Sequence, residues 1–289
     1  MSAKLFSFDD YSPAEMERKV EIASMRKAKL GFLSLFMLAV LAGAFIAFGA
    51  EFCTLVIFDS TLSVGLTKLL GGIAFSLGLI LVIVAGAELF TGNCLVVMGF
   101  ASRVVTYKQV LRNWAVAYLG NFVGSLLIAA LMFYTNQWKM KGSLLGAKAV
   151  LIAAGKVNLT FVEAFSRGIL CNILVCLAVW LCFSARTVIS KISAIIFPIT
   201  AFVASGFEHS IANMYFIPMG IILKRDSSVI SAVSKITSEA DLTRLNIMGF
   251  LGNLLPVTLG NIIGGAVMVA AIYWIIIVLP RRRKMSKRI

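Results

Sequence analysis

The fold of this chain is decided by the stretch GFEHSIAN at residues 206–213, which interrupts an apolar segment running from about residue 192 to 223. A second apolar segment, from about 66 to 100, is interrupted in the same way by ELFTGN at residues 88–93. In hydrocarbon every backbone N–H and C=O needs an internal partner, so interrupted helices survive only where protein or a water-lined cavity satisfies the freed groups. The two stretches therefore predict two broken transmembrane helices that border a cavity.

The composition indicates that lipid is the solvent of this chain. Of its 289 residues, 60% are hydrophobic and 14% are charged, whereas a soluble domain has about 25% charged residues. The net charge of +14 would suit nucleic acid, but the basic residues stand at the ends of apolar spans, so we expect no nucleic-acid partner. The five cysteines form no Cys-x-x-Cys pair and the chain has one histidine, so we expect no metal site and no cofactor.

The lengths of the apolar segments predict an all-α integral membrane protein with six transmembrane helices, because about 20 apolar residues cross a bilayer. The predicted spans are 31–52, 66–100, 113–134, 161–183, 192–223 and 246–279, of which the second and fifth are broken. We expect an amphipathic cytoplasmic helix within residues 1–30, a channel domain over residues 31–280 and a basic cytoplasmic tail at 281–289.

The distribution of positive charge predicts the orientation. Placing both termini in the cytoplasm puts most of the 27 lysine and arginine residues on that side, as the positive-inside rule requires. The exception is the partly apolar loop between spans three and four, which we expect to fold back against the protein; it carries Lys139, Lys141, Lys148 and Lys156. We therefore expect a multi-pass protein of the plasma membrane, in a bacterium the inner membrane.

An internal repeat relates the two halves of the sequence. LGNFVG at residues 119–124 in the third span matches LGNIIG at residues 259–264 in the sixth, and in each half the preceding span is the broken one. Three spans per half is an odd number, so the halves, about 31–136 and 161–279, must be inserted with opposite orientation. The Gly-x-x-x-Gly spacing in both motifs allows close approach of helices.

The two breaks are where we expect the chemistry. A half-helix begins after each break, at about Gly92 and about Ser210, and the N-terminus of a helix presents unpaired N–H groups with partial positive charge, which bind anions. His209 lies in one break, where ionisable residues are rare and tend to be functional. We expect it to act in conduction or gating, the alternative being a buried histidine that holds the break together. Thr91 in the other break would hydrogen-bond to His209 across the pore, or simply cap a helix.

The remaining polar residues of the spans are expected to support this arrangement. As ligands Glu88 and Glu208 would repel an anion, so we expect them to accept hydrogen bonds from backbone N–H groups freed by the breaks. Asn213 and Asn261 would give further structural support to the broken helices. For Asn172 and Asn261, both contact with a ligand and hydrogen bonding between helices remain open.

The stretch FVASGFEHSIANM at residues 202–214, followed by IPMG at 217–220, resembles the formate/nitrite transporter family, and its formate channels in particular. AELFTG at residues 87–92 looks like the same family's other broken helix, and the likeness covers all six spans. The resemblance implies a homopentamer in which each aquaporin-like protomer has its own pore. It also implies that apolar residues form narrow constrictions, namely Phe75, Leu79, Leu89, Phe90 and Phe202.

By the same resemblance, Thr91, His209 and Asn172 would line or gate a central chamber, and Lys156 would draw anions inward. A bare carboxylate faces an idealised cost on the order of 20 kcal/mol in an apolar constriction, so we expect a proton from His209 or water to let it cross as the neutral acid. Histidine titrates between about pH 5 and 8, so passage should depend on pH there.

The substrate we expect is formate, with nitrite and hydrosulfide as alternatives that the sequence does not separate. A pore for neutral solutes would share the broken-helix plan but carries Asn-Pro-Ala in its breaks, which this chain lacks. An enzyme is disfavoured, because one histidine without clustered carboxylates, metal ligands or a nucleophile and base leaves no reaction to propose.

Overall fold

A computed structural model describes residues 11–280 of the chain. Its helices are α1 (Pro13–Lys29), α2 (Phe32–Ile57), α3 (Val64–Ala85), α4 (Val96–Ala101), α5 (Tyr107–Tyr134), α6 (Met140–Val157), α7 (Phe161–Ser184), α8 (Val188–Ala204), α9 (Ser210–Leu223), α10 (Ser227–Ile236) and α11 (Ile247–Ile262). A 3₁₀ turn, Gly92–Leu95, precedes α4, another, Gln137–Lys139, precedes α6, and α11 continues as π-helix over Ile263–Ala271 and Trp274–Val278.

The predicted spans agree with these helices. Within residues 11–280, five helices are long and apolar enough to cross a membrane: α2, α3, α5, α7 and α11 with its continuation. The fifth predicted span consists of the shorter helices α8 and α9 on either side of a break. The third span begins at Tyr107, six residues before the predicted Asn113, because Thr106 and Gln109 exchange capping hydrogen bonds there.

The chain between spans three and four forms a helix of its own. As predicted, this segment folds back, and α6 packs against α9.

α10, which lies between spans five and six, was not predicted. The carboxylate of Asp226 accepts hydrogen bonds from the N–H groups of Ser228 and Val229 and caps the start of this helix. An acidic residue before an amphipathic run was the available signal for this helix.

The two halves pack by the same rule. α5 lies against α2 in the first half, and α11 lies against α7 in the second. A Cβ at Gly124 would meet the backbone carbonyl of Val40 on α2, and one at Gly264 would meet the carbonyl of Ile169 on α7. The repeated glycines therefore allow the backbones to touch, as the Gly-x-x-x-Gly spacing predicts.

The outer surface of the helices is apolar. Large hydrophobic side chains of α2, α5, α8 and α11 are exposed, among them Leu33, Leu131, Phe197 and Leu255. The predicted amphipathic helix corresponds to α1, whose Met16 and Val20 are buried while α1 packs against α4. Residues 1–10 of that predicted segment and the predicted basic tail at 281–289 lie outside the described residues.

Candidate functional site

The two breaks follow glycines with positive φ angles. Gly86 (φ 84°) directly follows α3 and Gly206 (φ 70°) stands two residues after the last residue of α8, and both conformations favour glycine because it has no Cβ. Each break then places its acidic residue two positions later, Glu88 or Glu208, and both carboxylates are buried. The two breaks therefore have the same construction in both halves.

A hydrogen bond joins the two breaks. Thr91 Oγ1 lies 2.9 Å from His209 Nε2, and both side chains are buried, with 0% and 2% of their surface exposed. His209 Nδ1 accepts the N–H of Ala212 at 3.0 Å and so caps α9. In the neutral ring the proton is therefore on Nε2, which donates to Thr91. The predicted contact across the breaks is present, and the same histidine also holds its own break together.

Two asparagines of the repeated Leu-Gly-Asn motif support the breaks. Asn121 Oδ1 accepts the N–H of Phe90 at 2.9 Å, and Asn261 Oδ1 accepts the N–H of Ser210 at 2.9 Å. The side-chain NH₂ group of each asparagine donates to two backbone carbonyl oxygens, one in the break that it supports and one in a neighbouring span. For Asn121 these are the carbonyls of Glu88 and Ala39, and for Asn261 they are those of Glu208 and Gly168. Backbone groups freed by the breaks are thus satisfied by side chains from α5 and α11.

The backbone N–H groups at the start of α9 are therefore less available than predicted. We expected them to be unpaired and open to an anion, but Asn261 binds that of Ser210 and His209 binds that of Ala212. In an apolar interior an unpaired N–H is costly, and the neighbouring side chains satisfy it. The Ser210 hydroxyl, in contrast, is buried without a hydrogen-bond partner among the described residues.

Each acidic residue is held by a lysine and an asparagine. Lys27 Nζ donates to Glu88 Oε1 at 2.7 Å and Asn93 donates to Oε2 at 2.8 Å. In the other half, Lys156 Nζ lies 2.9 Å from Glu208 Oε1 and Asn213 donates to Oε2 at 2.6 Å.

The prediction that Glu88 and Glu208 accept from backbone N–H groups was wrong. Both carboxylates accept from side chains, because a buried carboxylate needs a counter-ion and Asn121 and Asn261 already take the freed N–H groups. Lys156, which we expected to draw anions inward, is engaged in one of these ion pairs.

A cavity borders each of the two breaks. The first, called the His209 cavity, has a volume of about 150 Å³ and is lined by Phe75, Lys156, Phe202, Glu208, His209 and Phe216, among others. The second, called the Lys27 cavity, has a volume of about 420 Å³ and is lined by Lys19, Ile22, Ala23, Arg26, Lys27, Glu88 and Phe183. Each cavity therefore ends at one of the two ion pairs, and Thr91 lies buried behind the wall of the first.

The predicted constriction residues are all buried in one hydrophobic cluster. Phe75 and Phe202 meet edge to face with ring centroids 5.5 Å apart, and the Phe202 ring stacks on His209 at 5.9 Å. These two phenylalanines line the His209 cavity, whereas Leu79, Leu89 and Phe90 lie outside its lining. Phe90 packs edge to face on Tyr118 and Trp114.

Asn172 links helices in this structure. Its side-chain N–H groups donate to the carbonyl oxygens of Thr91 at 3.2 Å and of Asn261 at 2.6 Å. Of the two roles left open by the sequence, hydrogen bonding between helices is the one its contacts show. It positions the Thr91 backbone against α11.

Several residues of the site were missed from the sequence, and the internal repeat could have found them. Asn93 stands 120 positions before Asn213, just as Glu88 stands 120 before Glu208. Asn113 and Asn253, 140 positions apart, each accept a hydrogen bond from one of these amides. Lys27 is not predicted by the repeat, because its counterpart Lys156 comes from α6 and not from a helix equivalent to α1.

Comparison with known proteins identifies the family of this geometry. The family model described as formate/nitrite transporter matches residues 14–275. The formate channel FocA of Escherichia coli (strain K12) is 42% identical over 271 residues, which are 93% of this chain and 95% of that protein. The formate channel FocA of Haemophilus influenzae is 43% identical over 264 residues, 89% of this chain and 92% of that protein.

Solved structures agree with this assignment. A pentameric formate channel with formate bound superposes with a TM-score of 0.77 at 44% identity, covering 85% of this chain and 97% of that one. An ion channel of the same family superposes with a TM-score of 0.75 at 29% identity, covering 90% and 97%. This chain, with its six spans and two joined breaks, belongs to the formate/nitrite transporter family of multi-pass membrane transport proteins.

Proposed function

We propose that this chain is a formate channel in which each protomer conducts through its own pore. The observation that carries the proposal is the buried hydrogen bond between Thr91 and His209, which joins two broken helices between two cavities. Relatives named formate channels at 42% and 43% identity support formate as the substrate. The pentameric formate channel of similar fold supports a homopentamer.

The path we propose runs from the Lys27 cavity past the joined breaks to the His209 cavity. Leu79, Leu89 and Phe90 form the constriction on the first side, and Phe75 and Phe202 form the one on the second; all five side chains are buried. Opening requires these side chains to move apart. Residues 31–280 form the channel domain, with α1 as a separate element at the Lys27 cavity.

His209 and Thr91 are the groups we propose to bind the anion between the constrictions. An anion that enters between them accepts the Nε2–H of His209 and the hydroxyl of Thr91, which now bond to each other. For His209 to hand over a proton, it must first gain one on Nδ1, which is occupied by the N–H of Ala212. Charging the ring therefore requires release of the α9 cap, and proton transfer is coupled to movement at the start of that helix.

Lys156 has a shorter-range role than the sequence suggested. Lys156 is paired with Glu208 at 2.9 Å, so we propose that Lys156 acts as a hydrogen-bond donor to an anion that has reached the His209 cavity, which it lines. Asn172 and Asn261 position the Thr91 and Ser210 backbones around this point.

The distribution of positive charge bears on the orientation of the chain, and its relatives bear on its location. We propose that both termini are cytoplasmic and that the membrane is the bacterial inner membrane, supported by the basic residues of α1 and of the loops after α4 and α7 and by the bacterial relatives. The Lys27 cavity then opens to the cytoplasm.

The substrate is tested by competition in proteoliposomes that contain the purified protein. Formate flux is measured alone and with nitrite or hydrosulfide in excess, over a series of pH values. We expect formate to give the largest flux. A larger flux of nitrite or hydrosulfide at every pH would contradict the assignment of formate while leaving the family and the pore in place.

A further inference from the structure

The carboxyl of Glu51 lies inside a transmembrane helix and takes no part in the site described above. The other residues of α2 are uncharged, and the stretch has a mean hydropathy of 2.4. The flanking side chains Phe48 and Phe52 are each 43% exposed on the apolar outer surface. Ionisable residues inside membrane spans are rare and mark functional groups by default.

Glu51 has a hydrogen-bond donor but no counter-ion. The hydroxyl of Tyr215 on α9 donates to Glu51 Oε2, and Tyr215 is itself 1% exposed. The ion pairs of residues 11–280 do not include Glu51; they join Lys27 to Glu88, Lys141 to Asp59 and Lys156 to Glu208. This sets Glu51 apart from Glu88 and Glu208, which each have a lysine.

The elements that pack on α2 bring few other titratable groups towards Glu51. α9 contributes Tyr215 alone, and α5 has no ionisable residue between positions 121 and 133. α3 carries Lys68, about one helical turn before Gly71, which packs against Cys53 and Ile57 near the end of α2. α6 carries Lys148 and Lys156; Lys156 lines the His209 cavity together with Cys53, two residues beyond Glu51, and is paired with Glu208.

An ionised carboxylate without a cation in an apolar span costs several kcal/mol, whereas the protonated acid is neutral and needs only hydrogen-bond partners. The contacts of Glu51 fit the second form, because the Tyr215 hydroxyl donates to one oxygen and no lysine or arginine of the described residues binds the other.

Tyr215 connects this carboxyl to the wall of the His209 cavity. The next residue, Phe216, lines that cavity, stacks on Phe75 at 6.5 Å and lies 5.2 Å under the ammonium of Lys156. We propose that Glu51 and Tyr215 form a second proton-binding site of the membrane domain, in which the protonated carboxyl anchors α9 to α2 and positions Phe216.

The proton on Glu51 is tested by infrared spectroscopy of the protein in lipid vesicles at neutral pH. A protonated carboxyl has a C=O stretching band separate from that of carboxylates, and we expect Glu51→Gln to lose one such band. Glu239→Gln, which changes an exposed loop carboxyl, should leave the band in place. An unchanged band in Glu51→Gln would overturn the proposal. Because this measurement does not involve transport, its result does not depend on whether the protein conducts formate.

The positioning role is tested with Tyr215→Phe. Loss of the hydroxyl should shift the Glu51 band to higher frequency and lower formate flux by roughly fivefold, the equivalent of one hydrogen bond. Glu51→Gln retains an oxygen that accepts from Tyr215 and should keep the wild-type flux at neutral pH. Wild-type flux and an unshifted band in Tyr215→Phe would overturn the positioning role; pentamer elution in detergent confirms that each variant folds.

Discussion

Replacing His209 by asparagine should separate the two roles that the structure gives to this residue. Its ring caps α9 through Nδ1 and bonds to Thr91 through Nε2. Asparagine is a good N-cap residue, so it keeps a hydrogen bond to the N–H of Ala212, but it does not titrate and is too short to reach Thr91 in the same way. His209→Ala loses both interactions.

The magnitudes follow from these contacts. Loss of an N-cap costs about 1 kcal/mol and loss of one neutral hydrogen bond a further 1 kcal/mol or so. We therefore expect His209→Asn to lower the free energy of unfolding by about 1 kcal/mol and His209→Ala by about 2 kcal/mol. Because neither variant titrates, both should lose the variation of flux with pH.

The assay is formate flux in proteoliposomes at several values between about pH 5 and 8, where histidine changes charge, with thermal unfolding in detergent as the measure of stability. His209→Asn is the decisive variant, because its helix cap is retained. Flux in both variants that followed the wild-type pH dependence throughout this range would refute the reasoning and remove histidine from the mechanism.

Three further predictions concern the support of the breaks and the start of α1. Glu208→Leu leaves the Lys156 ammonium without its counter-ion and should lower the free energy of unfolding by about 3 kcal/mol, which the added change Lys156→Met should largely restore; equal melting temperatures of the single variant and wild type would contradict this. Asn261→Leu leaves the first N–H of α9 unpaired and should cost about 1–3 kcal/mol, checked by denaturant unfolding, and a change within error would show that another group takes its place. Hydrogen bonds from the hydroxyl and N–H of Ser12 lower the pKa of Glu15, so this contact stabilises α1 at neutral pH and is lost as pH falls through that lowered pKa. Amide exchange in the first turn of α1 should then accelerate in acid, and an equal acceleration in Glu15→Gln, which does not titrate, would argue against it.

The positions of the breaks could be predicted because lipid imposes a strict rule on the backbone. A polar run inside an apolar segment has few structural solutions in hydrocarbon. The sequence alone therefore placed the two breaks at residues 88–93 and 206–213. The repeated glycines were equally informative, since their spacing already implied the contact of Gly124 and Gly264 with neighbouring backbones.

The partners of individual side chains could not be predicted, because they come from segments distant in sequence. Lys27 and Lys156 stand in helices that the internal repeat does not relate, yet both bind the acidic residue of a break. Glu51 was overlooked because one carboxyl in a long apolar helix has no pattern around it, and only the packing of α9 on α2 brings Tyr215 within reach. The helical period of an apolar span also does not show which phenylalanines face a pore.

The hydrogen bond between Thr91 and His209 affects how tightly the proposed site can bind an anion. At the proposed site, an anion that enters between Thr91 and His209 must break their hydrogen bond, so part of its binding free energy goes into separating the two breaks. When the anion leaves, Thr91 and His209 can form their hydrogen bond again, which favours release of the anion. Such a site binds weakly and releases quickly, which suits rapid turnover of a small solute better than its retention.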